Sequence, residues 1–560
     1  MKKQEQNSPD PSQDASGITR RTFLGRTAMA SAAAMGVTTV SLASARANAA
    51  VTPAEPPAPD AIASHYRAIT IGTGYGASVA ALRLGEAGID TLMIEMGQLW
   101  DQPASDGKVH CNMVRPDARA MWFKDKTEAP VSNVLGLPLV DRRIDRYPGV
   151  LDTLNYDNMT VYVGRGVGGG SLVNGGMAVV PKRNFFEEVF PQLPADEMYE
   201  TWYPLAQAML HVNSVPDKVY NSDFYQFSRV AESFAHKAGF ATADVPNVYD
   251  FEYMAQEIAG EAEPSATARE VIYGNNHGKQ SLDKNYIPAA IGTGYVTLRT
   301  LTRVTAIEQD ANGIYHLSLQ TIDATGAVTE TLSVSCDHLF LGAGTMGTTE
   351  LLLRARETGA LPALSSEIGT GWGNNGNFMV SIANGWRGRT GSDQSSMPVK
   401  GIDNWGDPEA QVFAEIAPFP AGIETFTSLF LAITNNPERG CLTYNASTDS
   451  AQLSWGPDQS QPSFDAAKKV FDRYNEANGT HYRRGLFKGN QPYADFFTYH
   501  PLGGCLLGKA TDLYGRLSGY SRLYSIDGSL IPGNVGVNPF LTITALAERN
   551  IATIIREDMA

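Results

Sequence analysis

Four residues, Ala68 to Ile71 (AITI), form a short, mostly apolar run just before a turn of small residues, Gly72 to Ala77 (GTGYGA). After the turn, apolar positions recur at helical spacing to about Ala87, and Gly88 stands where a helix-ending glycine belongs. A second apolar run, Thr91 to Ile94, closes on Glu95. The pattern predicts strand, glycine turn, helix, strand and acid. The theme returns at "HLFLGAGTMGTTELLLRAR", His338 to Arg356, with a predicted turn at Gly342 to Gly347 and a helix carrying leucines at 351 to 353. It returns again near the C-terminus. There a strand is predicted to end at Asp527, a loop carries Asn538 and Pro539, and a last helix starts near Leu541. The segments "YVTLRTLTRVTAIEQD" and "IYHLSLQTIDATGAVTETLSVSCDHL" alternate as antiparallel strands do.

Each joint has a physical use. Gly72 permits the tight turn, Gly74 lets main chain approach a pyrophosphate, and Ala77 lets the helix pack close to the sheet. The helix start offers free N–H groups to phosphates. Glu95, 19 positions after Gly76, is placed to take both ribose hydroxyls of an adenosine and to repel a 2′-phosphate. This disfavours NADP and leaves NAD and FAD open. The stretch "VYVGRGVGGGSLVNGGMAV" holds seven glycines between Gly164 and Gly176, flanked by apolar residues. Such main chain can lie flat against phosphates or a planar ring. The inserts between the joints carry most of the aromatic residues. The division predicted is a dinucleotide domain of residues 60–100, 281–371 and 515–560, and a discontinuous substrate domain of 101–280 and 372–514.

Composition narrows the partners. The 560 residues carry a formal charge of −15, which argues against nucleic acid and against electrostatic docking on anionic lipid. "TRRTFLG" (Thr19 to Gly25), an Ala-rich run and "ANA" (Ala47 to Ala49) read as a twin-arginine export signal of residues 1–49. That route carries folded proteins, which hints at a tightly held prosthetic group and a secreted bacterial product. The four cysteines are scattered, so a disulfide framework is not expected, although one bridge stays open. No His/Cys/Asp cluster has ligand spacing, so no metal is expected.

With "YHPLGGC" (Tyr499 to Cys505) and "GVNPFLTITALAERN" added, the three joints resemble the glucose–methanol–choline (GMC) flavin oxidoreductases. The resemblance runs from about Ile69 to the C-terminus. Within the family it points to the bacterial branch that holds FAD without a covalent bond and oxidises steroid alcohols. It implies an α/β (α+β overall) fold: a doubly wound FAD domain plus a domain whose large antiparallel sheet roofs a steroid cavity. Next to the turn glycines Gly72 and Gly74, it places Tyr75, Gly76 and Glu95 at the adenosine side and the Val304 backbone at the adenine. Gly170, Asn174, Gly175 and Met177 would line the pyrophosphate and flavin. Asp527, Gly528, Asn538 and Phe540 would hold the ribityl and ring portions. Met177, Phe413 and Tyr499 are the expected substrate-pocket residues.

Three residues are the candidate catalytic groups. His500 sits on a stiff loop, suited to taking a hydroxyl proton. Glu415, in "VFAEIAPFP", has apolar neighbours that raise a carboxyl pKa, and alternation puts Phe413 on its face. Asn538 stands where many family members carry a second His, which shifts base chemistry to His500 or Glu415. The implied activity is oxidation of cholesterol and related 3β-hydroxysteroids by O2, giving H2O2, with isomerisation of the 5-en-3-one to the 4-en-3-one. The rivals are a family dehydrogenase for another alcohol that passes electrons to a quinone, and a secreted sterol-binding flavoprotein without catalysis. A monomer is expected. It would draw sterol from membranes through a lid of Arg119–Asp125 and Val134–Val140.

Overall fold

The computed structural model describes residues 51–131 and 140–559. Residues 1–49, the expected signal, and most of the second lid segment lie outside the described residues. Both large sheets below belong to one compact unit, Thr52–Ala560.

The AITI run is the inner end of a strand, His65–Ile71, at the centre of the first sheet. Thr91–Ile94 and Val328–Leu341 flank it in parallel, with Ile69 opposite both Leu92 and Leu339. Leu523–Ser525 adds a further parallel strand beside Leu339–Leu341. The pleat sends alternate side chains to opposite faces. Ala68, Met93, Phe340 and Tyr524 pack with the helices Tyr75–Glu86 and Phe540–Asp558. Ile69, Leu92, Ile94, Leu339 and Leu341 pack with Met346, Leu352 and Leu353 of the helix Gly344–Glu357. Helices therefore cover both faces, the doubly wound arrangement.

Several boundaries differ from expectation. Val296–Arg299 pairs parallel with Thr91–Ile94, whereas its alternation suggested an antiparallel neighbour; four residues are too few for period to settle direction. The antiparallel meander is Thr302–Gln309, Tyr315–Ile322 and Val328–Leu341. The second helix begins at Gly344, inside the expected turn, and the last strand ends at Ser525, two residues before Asp527.

The second sheet is antiparallel. Its order is His481–Tyr482, Asn377–Ala383, Thr427–Thr434, Val412–Ala417, Lys400–Asp403 and Ala241–Asp244. Its outer face, with Phe378, Val380, Ala414, Ile416 and Phe430, buries against Val470 and Phe471 of the helix Pro457–Asn478. Its inner face carries Met379, Phe413, Glu415, Leu429 and Leu431 toward the first sheet. A small third sheet joins Leu151–Asn155, Thr160–Gly164 and Phe497–Thr498. One of its strands opens into the glycine-rich loop and another into Tyr499 and His500.

The stretch Arg119–Met121 is not lid-like. Arg119, Ala120 and Met121 are buried, and Arg119 pairs with Asp106 and Asp117. All four cysteines are free.

Close packing sets the first joint. A Cβ on Gly76 would overlap the Ile526 carbonyl, so Gly76→Ala is expected to cost about 3 kcal/mol or more, the upper end for overpacking. Thermal melts of the purified variant check this, and an unchanged midpoint would refute the contact.

Candidate active site

One cavity of about 1030 Å³ lies between the two large sheets, at the top of the size range of ligand pockets. Its floor is main chain. Gly72, Gly74 and Gly76 reach it from the first joint, Gly164, Gly169 and Gly170 from the glycine-rich loop, and Gly342, Gly344 and Gly347 from the second joint. The three segments touch: a Cβ on Gly342 would lie 2.7 Å from Ala77 Cβ, and one on Gly169 would lie 3.1 Å from Gly74 Cα. Gly72 also needs its left-handed backbone, at φ +93°.

At one end Glu95 is buried and already engaged. It accepts from the Thr73 hydroxyl (2.6 Å) and from Gly97 N (2.9 Å), and burial pushes its pKa up. The same Thr73 oxygen accepts from Gly168 N (3.0 Å), which ties the acid to the glycine-rich loop. Val304 lies beside it, where the ladder slips between Val304 and Ala306. A bulge here frees main-chain groups at the cavity edge.

In the middle, Tyr75 stacks on Phe540 with ring centroids 4.8 Å apart, and Asn174 Nδ2 donates to the Tyr75 hydroxyl at 2.7 Å. Asp527 accepts from Thr348 (2.6 Å) and Ser529 N (2.9 Å), beside Gly528. Lys279 is a brace that the sequence did not reveal. Buried, with its pKa pushed down to about 7 by burial and by Lys284, it donates to the carbonyls of Leu172 and Asn174. It thus holds the loop that presents Asn174, Gly175 and Met177.

The far end is apolar apart from three groups. Glu415 projects from the inner face of the second sheet among Met379, Leu429 and Leu431. Burial raises its pKa to about 8, only partly offset by Asn538 Nδ2, 3.4 Å from Oε2. Glu415 Oε1 and Asn538 Oδ1 are buried without a protein partner. Burial drives His500 the other way, down to about 3, so its ring is neutral across the working range.

The His500 tautomer follows from its neighbours. Nδ1 lies 3.0 Å from Asn377 Oδ1, and Asn377 Nδ2 donates to Thr498 Oγ1 at 3.0 Å. Thr498 in turn donates to Asn374 O (3.1 Å) and accepts from His500 N (2.9 Å). Asn377 therefore offers a carbonyl to Nδ1, which holds the proton, and Nε2 is left as an acceptor. Asn375 approaches Nδ1 at 3.4 Å, but its amide is committed to Val537 O and Val535 N, both at 2.8 Å. That grip also positions the loop ending in Asn538. The asparagines 374, 375 and 377 were missed because such runs read as turns; their signal was their place directly before an apolar strand.

The cavity wall brings together all the expected cofactor residues, the three candidate catalytic residues, Met177 and Tyr499. Phe413 is the exception. It packs behind the wall against Gly401, in the cluster that includes Trp405 and Leu431.

Family models of GMC oxidoreductases match residues 142–357 in the N-terminal part, and 375–488 and 439–547 in the C-terminal part. The chain belongs to the GMC oxidoreductase family. This member is 26% identical to a cholesterol oxidase of Mycobacterium tuberculosis, across 86% of this chain and 90% of that one. It is 24% identical to a cholesterol oxidase of Acinetobacter baumannii, across 87% and 94%. Its fold is similar to that of a fungal aryl-alcohol oxidase at TM-score 0.61 and 13% identity, covering 89% of this chain and 100% of that one.

Family membership implies FAD, and the residues fit it. Gly170 and Gly344 face open space, with no heavy atom within 4 Å of a Cβ position, and Gly74 meets only one, at 4.0 Å. This bare cradle at the starts of two helices suits a pyrophosphate. The unpartnered oxygens of Glu415 and Asn538 await a polar group at the other end.

Replacing Asn377 tests the tautomer. Asn377→Leu is expected to lower kcat about tenfold to a hundredfold, part of what general-base catalysis supplies. Asn377→Asp sets a carboxylate against Nδ1 and raises the His500 pKa, so an acidic limb should emerge in the pH–rate profile. A flat profile for the aspartate variant would exclude this role.

Proposed function

We propose that this oxidoreductase oxidises the hydroxyl of 3β-hydroxysteroids such as cholesterol with O2 as acceptor, giving H2O2, and then isomerises the 5-en-3-one to the 4-en-3-one. The observation that carries the reading is Glu415. Oxidising an alcohol needs one proton acceptor, and neutral His500 supplies it. A second proton-handling group, wholly buried on an apolar wall and poised at about 8, suits a proton moved between carbons. That the two bacterial relatives are cholesterol oxidases supports a sterol.

FAD, when bound, supplies the two-electron acceptor and hands the electrons to O2. The chain's own residues orient the substrate and move its protons. The apolar wall excludes water and takes the ring system. His500 Nε2 accepts the hydroxyl proton, and Asn538 presents its amide to the reacting oxygen or the ring. The ionised Glu415 then takes a proton from the carbon between ketone and double bond and returns it at the far end of that bond. At neutral pH only about a tenth of Glu415 is ionised, so isomerisation should climb as pH rises through about 8. The reading includes FAD held without a covalent bond, and no cysteine lines the cavity among the described residues. Residues 1–49 direct export of the folded protein, which works as a monomer outside the cell on sterol drawn from lipid.

Acid precipitation of purified protein should leave a yellow supernatant, and air should promptly reoxidise enzyme reduced by cholesterol without oxygen. A colourless product, or persistent reduction until a quinone is added, would overturn the reading.

Glu415→Gln should keep oxidation but slow isomerisation by about 10²- to 10⁴-fold, so that the 5-en-3-one accumulates. The raised pKa also has a stability consequence. A carboxyl held neutral favours the native state at low pH, and that contribution is lost as pH rises through about 8. Glu415→Gln should therefore melt several degrees higher than wild type at roughly pH 9, with the gap closing toward acid. Equal melting points at alkaline pH would contradict the burial argument.

A further inference from the structure

Trp386 is 86% exposed, the most exposed large apolar side chain among the described residues. It tips the loop between the strands Asn377–Ala383 and Lys400–Asp403. Its ring meets Phe426 edge-on, centroids 5.1 Å apart, and Phe426 holds a left-handed backbone at φ +51°. An aromatic residue keeps that conformation only where its surroundings impose it. Here Glu424 accepts from Phe426 N (2.7 Å), Gly391 N (2.7 Å) and Thr390 N (3.2 Å), and Asn384 N donates to Phe426 O (2.8 Å). The indole is thus presented outward on a braced platform.

The charge around it is the reverse of the protein's. Arg387 and Arg389 are exposed beside Trp386, in a chain of net charge −15. Glu424, 3.9 Å from Arg389, is occupied by three amides. The platform also continues into the cavity wall. Ala421 and Ile423, just before Glu424, line the cavity and are only partly buried, so the segment that carries the indole's platform is also cavity wall.

We propose that Trp386, with Arg387 and Arg389, seats the protein on the interfacial layer of an anionic lipid bilayer, on a platform that continues into the wall of its cavity. The proposal rests on the sterol reading above, because an apolar substrate resides in such a layer. Indole rings favour the headgroup boundary, and basic residues are drawn to anionic leaflets. The acidic remainder of the surface repels the same leaflet, but charges more than about 10 Å away are screened at physiological salt. The attachment is peripheral: among the described residues no helix is long and apolar enough to cross a membrane.

The test uses FAD-loaded protein and sterol-free vesicles of phosphatidylcholine and phosphatidylglycerol in equal parts, sedimented together. Trp386→Ala is expected to bind about tenfold more weakly or worse, from the loss of a buried aromatic side chain. Arg387→Glu with Arg389→Glu should lose at least about fivefold per site, and that loss should shrink with added salt. Bromine-labelled lipid tails should quench a component of wild-type fluorescence that the Trp386→Ala variant lacks. Binding of that variant equal to wild type, or wild-type protein that stays in the supernatant, overturns the proposal. Turnover separates the two readings. Trp386→Ala should keep its rate on sterol dissolved in detergent and lose it on sterol in vesicles. If neither protein turns over sterol while Trp386 still governs sedimentation, the sterol reading fails and the lipid seat stands.

Discussion

Main chain meets main chain at the centre of this molecule, and the rest depends on that approach. A side chain on Gly72 would overlap the Gly342 carbonyl, and one on Gly76 would overlap the Ile526 carbonyl. The ends of three parallel strands and the starts of their helices therefore share a space no larger than their backbones. Because nothing projects there, the floor presents N–H groups and open surface. The glycine-rich loop closes on the same point through Gly169 and is fastened by Thr73 on one side and Lys279 on the other. The second sheet roofs the bare floor, and the gap between them is the cavity.

Burial then sorts the chemistry along that gap. Desolvation pushes Glu415 up and His500 down, opposite shifts with one cause. Both groups rest uncharged at neutral pH, so an apolar molecule at this end would have no charge stranded against it. The cofactor end answers the same physics with hydrogen bonds. Glu95 and Asp527 are buried too, yet each carboxylate is matched by a hydroxyl and an amide. The cavity thus runs from a polar, matched end to a neutral, proton-handling end.

What the sequence discloses follows that division. The dinucleotide floor was legible because glycine at fixed spacing and a terminal acid are demands of local geometry, and Glu415 was legible because a period of two names its face. Phe413 shares that period but misses the cavity, since pleat direction does not say how far a wall extends. The supports of His500 were not legible: Asn377 and Thr498 lie 121 residues apart and meet only through pairing across two sheets. Lys279 was hidden likewise, because its partners are carbonyls, which carry no sequence mark. Arg119–Met121 misled in the other direction, as a loop-like apolar stretch that turns out to be core.

Asn538 gains its meaning from this arrangement. Its loop is held by Asn375, which shares a strand entrance with Asn377, the partner of His500. One short turn, residues 374–377, thereby sets the imidazole and the amide together, and the amide reaches Glu415. A second imidazole at 538 would add a group that can take a proton beside a carboxyl near 8, and the two would share it. An amide cannot be charged, so burial, only partly offset by the amide's own hydrogen bond, sets the Glu415 pKa with no second titrating group coupled to it. Under the proposed function, asparagine at 538 would suit an enzyme in which one acceptor serves the hydroxyl and a separate carboxyl, kept neutral until needed, serves carbon.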